Sequence, residues 1–293
     1  MLKGKIIKGI AGFYYVSAEN SHIYECKAKG IFRKDKMKPL VGDSVSIDVI
    51  NEEEKTGNIV EIFPRFNALI RPAVANVDLA LVVFSIKKPA PNLNLLDRFL
   101  VTMEKQGVEA AICFNKSDLA SDEEIEEIMK AYSSCGYKVL CICAKENQGI
   151  DDVRSILENK TTTVAGPSGV GKSTLINSLL PQDEMQTGEI SEKIDRGKHT
   201  TRHSQLIEIT DNTYIMDTPG FSSLFIEDFE YEELKDYYPE FARYEDGCRF
   251  SCCMHLKEPD CAVKAALNEG EISKIRYDNY VILAEELKNK KKY

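Results

Sequence analysis

The sequence predicts a mostly parallel α/β domain with a phosphate-binding loop, flanked by an N-terminal all-β barrel and a C-terminal helical domain organised around a metal. Three observations predict it. Short β-branched or alternating runs punctuated by turn residues fill positions 3 to about 63. Strand-like and helix-like segments then alternate, and one strand–helix junction carries a glycine-rich loop ending in Gly171-Lys172-Ser173. Finally, cysteines and a histidine crowd between Cys248 and Cys261. These divide the chain into residues 1–65, 66–221 and 222–293.

In the first segment KIIKGIAGFYYVSA, HIYECKAKGIF, SVSIDVI and IVEIF read as about five strands, with Gly42-Asp43 and Thr56-Gly57-Asn58 as turn signals. A five-stranded Greek-key barrel of the OB type fits this length. Residues 1–40 hold nine Lys or Arg against Glu19, Glu25 and Asp35, although the 293-residue chain carries a net charge of −9. Such a barrel, with Phe13, Tyr14, Tyr15, Tyr24 and Phe32, has two uses for its aromatics: stacking on RNA bases or filling its own core.

After a linker around PRFNALIRPAVAN the pattern becomes VDLALVVFSI (strand), LLDRFLVTMEKQG (helix), VEAAICF (strand), DEEIEEIMKAYSSCG (helix), KVLCICA (strand), IDDVRSILEN (helix) and TTTVAG (strand). The first helix places Leu96, Phe99, Leu100 and Met103 on one face and stops at Gly107. Alternation of this kind predicts a sheet covered on both faces. QLIEI and TYIMD supply later strands, and AVKAALNEGEI and IRYDNYVILAEELKNKKK read as C-terminal helices. No apolar run approaches the ~20 residues of a membrane span, and the lysine-rich start has no apolar core for export. Cys26, Cys113, Cys135, Cys141 and Cys143 read as buried thiols of a cytoplasmic protein.

Gly166-Pro167-Ser168-Gly169-Val170-Gly171-Lys172-Ser173-Thr174 fits the nucleoside-triphosphate loop in its required strand–loop–helix setting. Backbone N–H groups and a helix N-terminus cradle phosphates, Lys172 reaches the β- and γ-phosphates, and Ser173 ligates Mg²⁺. Asn115-Lys116-Ser117-Asp118 follows a buried strand. Its Asp118 carboxylate suits the N1–H and 2-amino group of guanine and would be left unpaired by adenine. Cys143-Ala144-Lys145, at the end of the next strand, offers backbone N–H groups to guanine O6. GTP and GDP are therefore the expected ligands, with the guanine motif preceding the phosphate loop.

Asp217-Thr218-Pro219-Gly220 closes TYIM, where Asp217 would hold Mg²⁺ and the Gly220 N–H the γ-phosphate. The polar GEISEKIDRGKHTTRHS segment between loop and strand is a candidate switch, in which Thr201, or its neighbour Thr200, completes the Mg²⁺ shell. Phe221 cannot orient water as a glutamine would, so His199 or His203 is the candidate for that task. Phe221 also favours an alternative, a non-hydrolysing scaffold that binds RNA and uses GTP only for stability.

Cys248, Cys253, His255 and Cys261 supply a closed Cys₃His set suited to one structural Zn²⁺, with Cys252 as a spare.

Together, the N-terminal barrel, NKSD ahead of GPSGVGKS, then GKHTTRH, DTPGF and the Cys-Cys-His-Cys cluster resemble the circularly permuted ribosome small subunit-dependent GTPase A (RsgA) family across essentially the whole chain. The resemblance implies a GTP hydrolase that acts late in maturation of the 30S ribosomal subunit, contacts its 16S rRNA, and is stimulated by it; a monomer is expected, although no motif sets the oligomeric state. It also implies that His199 positions the attacking water. Arg202 departs from the threonine common in that family's switch, and Cys143 from the usual serine. The permutation leads the chain from DTPG straight into the metal domain, which suggests a route from the γ-phosphate to an RNA-facing module.

Overall fold

The computed structural model describes residues 1–29, 32, 38–69, 73–180, 205–217 and 229–290. By internal packing it divides into two compact units. One comprises Met1–Ala80, Arg154–Val164 and Leu175–Pro219, and the other Leu81–Val153, Ala165–Thr174 and Gly220–Tyr293.

The first unit contains the expected barrel. Strands β1 (Leu2–Ile10), β2 (Phe13–Ala18), β3 (Ile23–Ala28), β4 (Ser44–Asn51) and β5 (Thr56–Ile62) close in the order β1-β2-β3-β5-β4. All barrel pairings are antiparallel except β3 with β5. Period-2 alternation turns Ile6, Val16, Tyr24, Cys26, Val45, Ile47 and Ile59 inward, where each is fully buried. Thr56-Gly57-Asn58 is not the turn the sequence suggested. The turn lies at 52–55, with Lys55 at φ +51°, and Gly57 sits inside β5, where a Cβ would come within 2.9 Å of the Asp48 carbonyl. The stretch read as a linker holds a two-strand ladder, β6 (Ala68–Leu69) against β7 (Val74–Ala75).

β1 does more than close the barrel. Its register against β2 slips between Ile6 and Lys8, a bulge that leaves an extra residue facing away from the ladder. The Ile7 carbonyl accepts from Leu206 N at 2.8 Å, and Lys8 bridges Gln205. Lys5 donates to Thr161 Oγ1 at 2.7 Å, and its Nζ lies 4.6 Å from the Tyr214 ring centre. Burial lowers the Lys5 pKa, opposed by Asp78 and Glu208. This lysine is committed inside its own unit.

The central sheet has six strands in the order β10-β9-β8-β11-β13-β12, with β8 Leu79–Ser85, β9 Glu109–Asn115, β10 Lys138–Ile142, β11 Thr161–Ala165, β12 Ile207–Thr210 and β13 Thr213–Asp217. β9/β10 and β11/β13 are parallel, and β12 joins β13 antiparallel at the edge. Every residue of β8 and β11 is buried, as expected for strands covered on both faces.

In the second unit, helix α1 (Leu93–Lys105) starts at Asn92, whose side chain accepts from Leu95 N. It buries Leu96, Phe99, Leu100 and Met103 as its spacing predicts. Helix α2 (Asp122–Ser133) begins with a reciprocal capping box between Ser121 and Glu124. Helices α3 (Ile150–Leu157) and α4 (Lys172–Leu179) follow β10 and β11 in sequence.

The C-terminal region adds α5 (Ala262–Asn268) and α6 (Lys274–Asn289), packed with Phe229, Leu234, Tyr238 and Phe241 in a core that also takes Val101 of α1. Arg276 of α6 is fully buried and bonds Asp97 of α1 at 2.8 Å and Glu240 at 2.8 and 3.1 Å. Asn279 donates to the second Asp97 oxygen at 2.6 Å. Burial opposes the Arg276 charge, but Asp97 and Glu240 outweigh it and raise its pKa well above the usual arginine value.

Candidate nucleotide site and metal centre

The phosphate loop leaves β11 at Gly166 and enters α4 at Lys172. Gly166 has φ +140°, and a Cβ there would overlap the Val83 carbonyl of β8. Gly171 has φ +95°, and a Cβ there would overlap the Asn115 amide. These two glycines let the loop curl closely against its neighbours. Lys172 Nζ donates to the Gly166 and Pro167 carbonyls at 2.8 Å each, so the ammonium sits inside the curl where phosphate oxygens would replace those acceptors. Ser173 and Thr174 are exposed in the first turn of α4, and Ser168 and Gly169 are exposed at the tip of the loop.

Register pairs Asn115 with Ile142, so the NKSD loop and Cys143-Ala144-Lys145 leave adjacent strand ends together. Asn115, nearly fully buried, joins three segments: its Nδ2 donates to Val170 O of the phosphate loop at 2.9 Å, and its Oδ1 accepts from Lys116 N at 2.8 Å and Ala144 N at 3.0 Å. Lys116 has φ +66°, and its Nζ donates to the carbonyls of Lys88 and Gly169, which lays the side chain along the edge of the site.

Asp118 is exposed, within the short 3₁₀ turn Ser117–Leu119. The buried Cys143 thiol donates to Asp118 Oδ1 at 3.2 Å. Burial, and then the Asp118 carboxylate, raise the Cys143 pKa, so the thiol stays protonated and keeps its donor. Lys145 is exposed beside this pair. The sequence had no way to mark the Lys88 carbonyl, since any residue supplies one.

Asp217 ends β13, paired with Val164 of β11, the strand that runs on into the phosphate loop. His199, Thr200, Thr201, His203, Gly220 and Phe221 lie outside the described residues.

The metal donors converge. Single ligand atoms of Cys248, Cys253, His255 and Cys261 all lie within 4.8 Å of one another. His255 Nδ1 is 3.6 Å from Cys248 Sγ and 3.4 Å from Cys261 Sγ, and those two sulfurs are 3.9 Å apart. A tetrahedron with Zn–S bonds of ~2.3 Å has edges of about 3.8 Å, so the residues fit a closed structural zinc site. Cys252 is exposed and outside the set. Tyr277 OH donates to the His255 carbonyl at 2.5 Å and Tyr280 OH to the Met254 carbonyl at 2.6 Å, which holds the ligand loop onto α6.

Comparison with known proteins gives one consistent result. A family described as RsgA N-terminal domain matches residues 3–59, and one described as RsgA GTPase matches residues 62–227. A protein of Agathobacter rectalis named small ribosomal subunit biogenesis GTPase RsgA is 58% identical over the full length of both chains. One of the same name from Alkaliphilus metalliredigens is 50% identical, again over the full length of both. Among solved structures, YloQ, described as a circularly permuted GTPase, is 40% identical with a TM-score of 0.83, covering 100% of this chain and 98% of its own. YjeQ from Thermotoga maritima is 34% identical with a TM-score of 0.85, covering 99% of each chain.

Proposed function

The chain belongs to the RsgA GTPase family and is a GTP hydrolase of small-ribosomal-subunit biogenesis; from that premise we propose which residues do the work and what they touch. Membership removes the scaffold that never hydrolyses. The observation that carries the residue-level reading is Asn115, whose one side chain ties the guanine motif, the phosphate loop and Ala144 together.

Guanine is read by Asp118, oriented by the Cys143 thiol, with the Lys145 N–H offered to O6, since the Ala144 N–H is held by Asn115, and the Lys116 stem along the base. Phosphates lie in the loop from Gly166 to Thr174. Lys172, now on two loop carbonyls, transfers its hydrogen bonds to phosphate oxygens. Mg²⁺, when bound, neutralises charge on the triphosphate, and Ser173, Asp217 and Thr201 are the residues that would hold it. His199 orients the water and Gly220 meets the γ-phosphate. Stabilisation of charge on the transferring group supplies most of the rate.

The domains in this reading are the barrel, 1–65, the permuted GTPase domain, 66–221, and the zinc domain, 222–293. The protein acts as a cytoplasmic monomer on the 30S subunit, with 16S rRNA as the contacted surface. Among the described residues no helix is long and apolar enough to cross a membrane. Support for RNA contact comes from a barrel groove lined by Phe13, Tyr14, Lys27, Lys29 and Lys38, where Lys27 Nζ lies 5.0 Å from the Phe13 ring centre.

The test is nucleotide competition on Asp118→Asn. An amide at that position can donate to the 2-oxygen of xanthine, so preference shifts from guanine to xanthine nucleotides. Undiminished guanine preference contradicts the assignment.

A further inference from the structure

We propose that Glu245 is a positioning residue for the zinc site: its carboxylate takes the Nε2–H of His255, fixing the tautomer that presents Nδ1 to the metal, and Lys235 holds that carboxylate in place. The inference rests on the Cys₃His reading and goes beyond it, since neither residue is a ligand.

The geometry divides the imidazole cleanly. Nδ1 faces the sulfurs of Cys248 and Cys261 at 3.6 and 3.4 Å. Nε2 faces away and meets Glu245 Oε1 at 3.3 Å. The other carboxylate oxygen of Glu245 accepts from Lys235 Nζ at 3.2 Å. His255 is only 1% exposed, so an Nε2–H without this acceptor would be a buried, unsatisfied donor.

Neutral imidazole has two tautomers, and only the one protonated at Nε2 leaves a lone pair on Nδ1 for a metal. A carboxylate on Nε2–H selects that tautomer, aims the ring and makes Nδ1 a better donor. The ring is fixed on its other sides as well. His255 sits at φ +56°, its carbonyl is held by Tyr277, and the Phe241 ring packs edge-on against it with centroids 5.5 Å apart.

Charge explains the third member. Three thiolates and Zn²⁺ sum to −1, and a second negative group beside them is repelled unless it is offset. Lys235 supplies the offset, shared with the exposed Asp236 carboxylate at 3.4 Å, and its side chain is mostly covered at 17% exposure. It lies in the 3₁₀ segment Tyr231–Tyr237, whereas Glu245 begins the separate turn Glu245–Gly247. The pair thus joins the ligand loop to a segment that contributes no ligand.

The test uses the full-length protein and two readouts besides activity: the rate of zinc release to a chelating dye, and the visible absorption of the Co²⁺-substituted protein. Glu245→Ala should release zinc about 10- to 100-fold faster and shift the Co²⁺ ligand-field bands. Glu245→Gln, which keeps an acceptor but loses the charge, should fall between it and the parent. Lys235→Met should accelerate release less than Glu245→Ala. GDP affinity, measured on each variant, should stay at the parental value and so confirm folding. Parental release rates and an unchanged Co²⁺ spectrum in Glu245→Ala overturn the proposal while leaving the Cys₃His site intact. A parent protein that retains no zinc overturns both.

Discussion

Asn115 uses both ends of its amide inside the site, and that leaves no room for a Cβ on Gly171. Gly171→Ala would strain a left-handed backbone and push Asn115 off the phosphate loop. It should therefore abolish detectable GDP binding in a fluorescent-nucleotide titration, and retained binding would break the link between the two motifs. Cys143 invites a finer measurement. Removing one neutral hydrogen bond costs about 0.5–1.5 kcal/mol, so Cys143→Ala should weaken GDP roughly 2- to 12-fold by losing its hold on Asp118. Cys143→Ser, with a stronger donor, should bind at least as well as the parent. Equal affinities for all three would show that the thiol is idle. The motif residues were legible because each motif is local and its chemistry needs fixed residue types. Contacts such as Asn115 to Val170, separated by 55 positions, were not, because nothing in either segment names the other.

At the scale of elements, strand and helix periods were readable wherever one face is buried, as in α1 and the barrel strands. Gly57 misled because glycine marks close approach as well as turns, and here the approach is to β4. The β1 bulge was also invisible. It frees the Ile7 carbonyl for Leu206, so the barrel holds the residues that lead into β12. The Arg276 cluster joins residues 179 positions apart and could not be read from sequence. Removing one partner of a buried ion pair costs about 3–5 kcal/mol. Arg276→Ala should thus lower unfolding free energy by that amount in urea titrations, because Asp97 and Glu240 would be left buried without their cation. A loss below about 1 kcal/mol, the range of exposed pairs, would contradict the burial.

For the whole molecule, net charge was a poor guide and local charge a better one, but even that needs correction. Lys5, counted among nine N-terminal cations, is spent on Thr161 and Tyr214, while Lys27, Lys29 and Lys38 are exposed on the barrel. Reversing Lys27 and Lys29 to Glu should weaken small-subunit binding and flatten its salt dependence, since each lost phosphate contact removes about one unit from the slope. An unchanged slope would move the RNA-binding face elsewhere. The order of the motifs, guanine reader before phosphate loop, was fully legible, and it matches the circular permutation of the related structure.

We propose that the small subunit switches on hydrolysis through His199, in a site assembled around Asn115. The decisive measurement is GTP turnover with and without added 30S subunits, for the parent protein and for His199→Ala. Adding subunits should raise the parent's rate by on the order of 10²-fold or more, the scale of a positioned acid–base group. His199→Ala should lose most of that rise, with GTP affinity nearly unchanged. Equal parent rates with and without subunits, or full stimulation of His199→Ala, would contradict it.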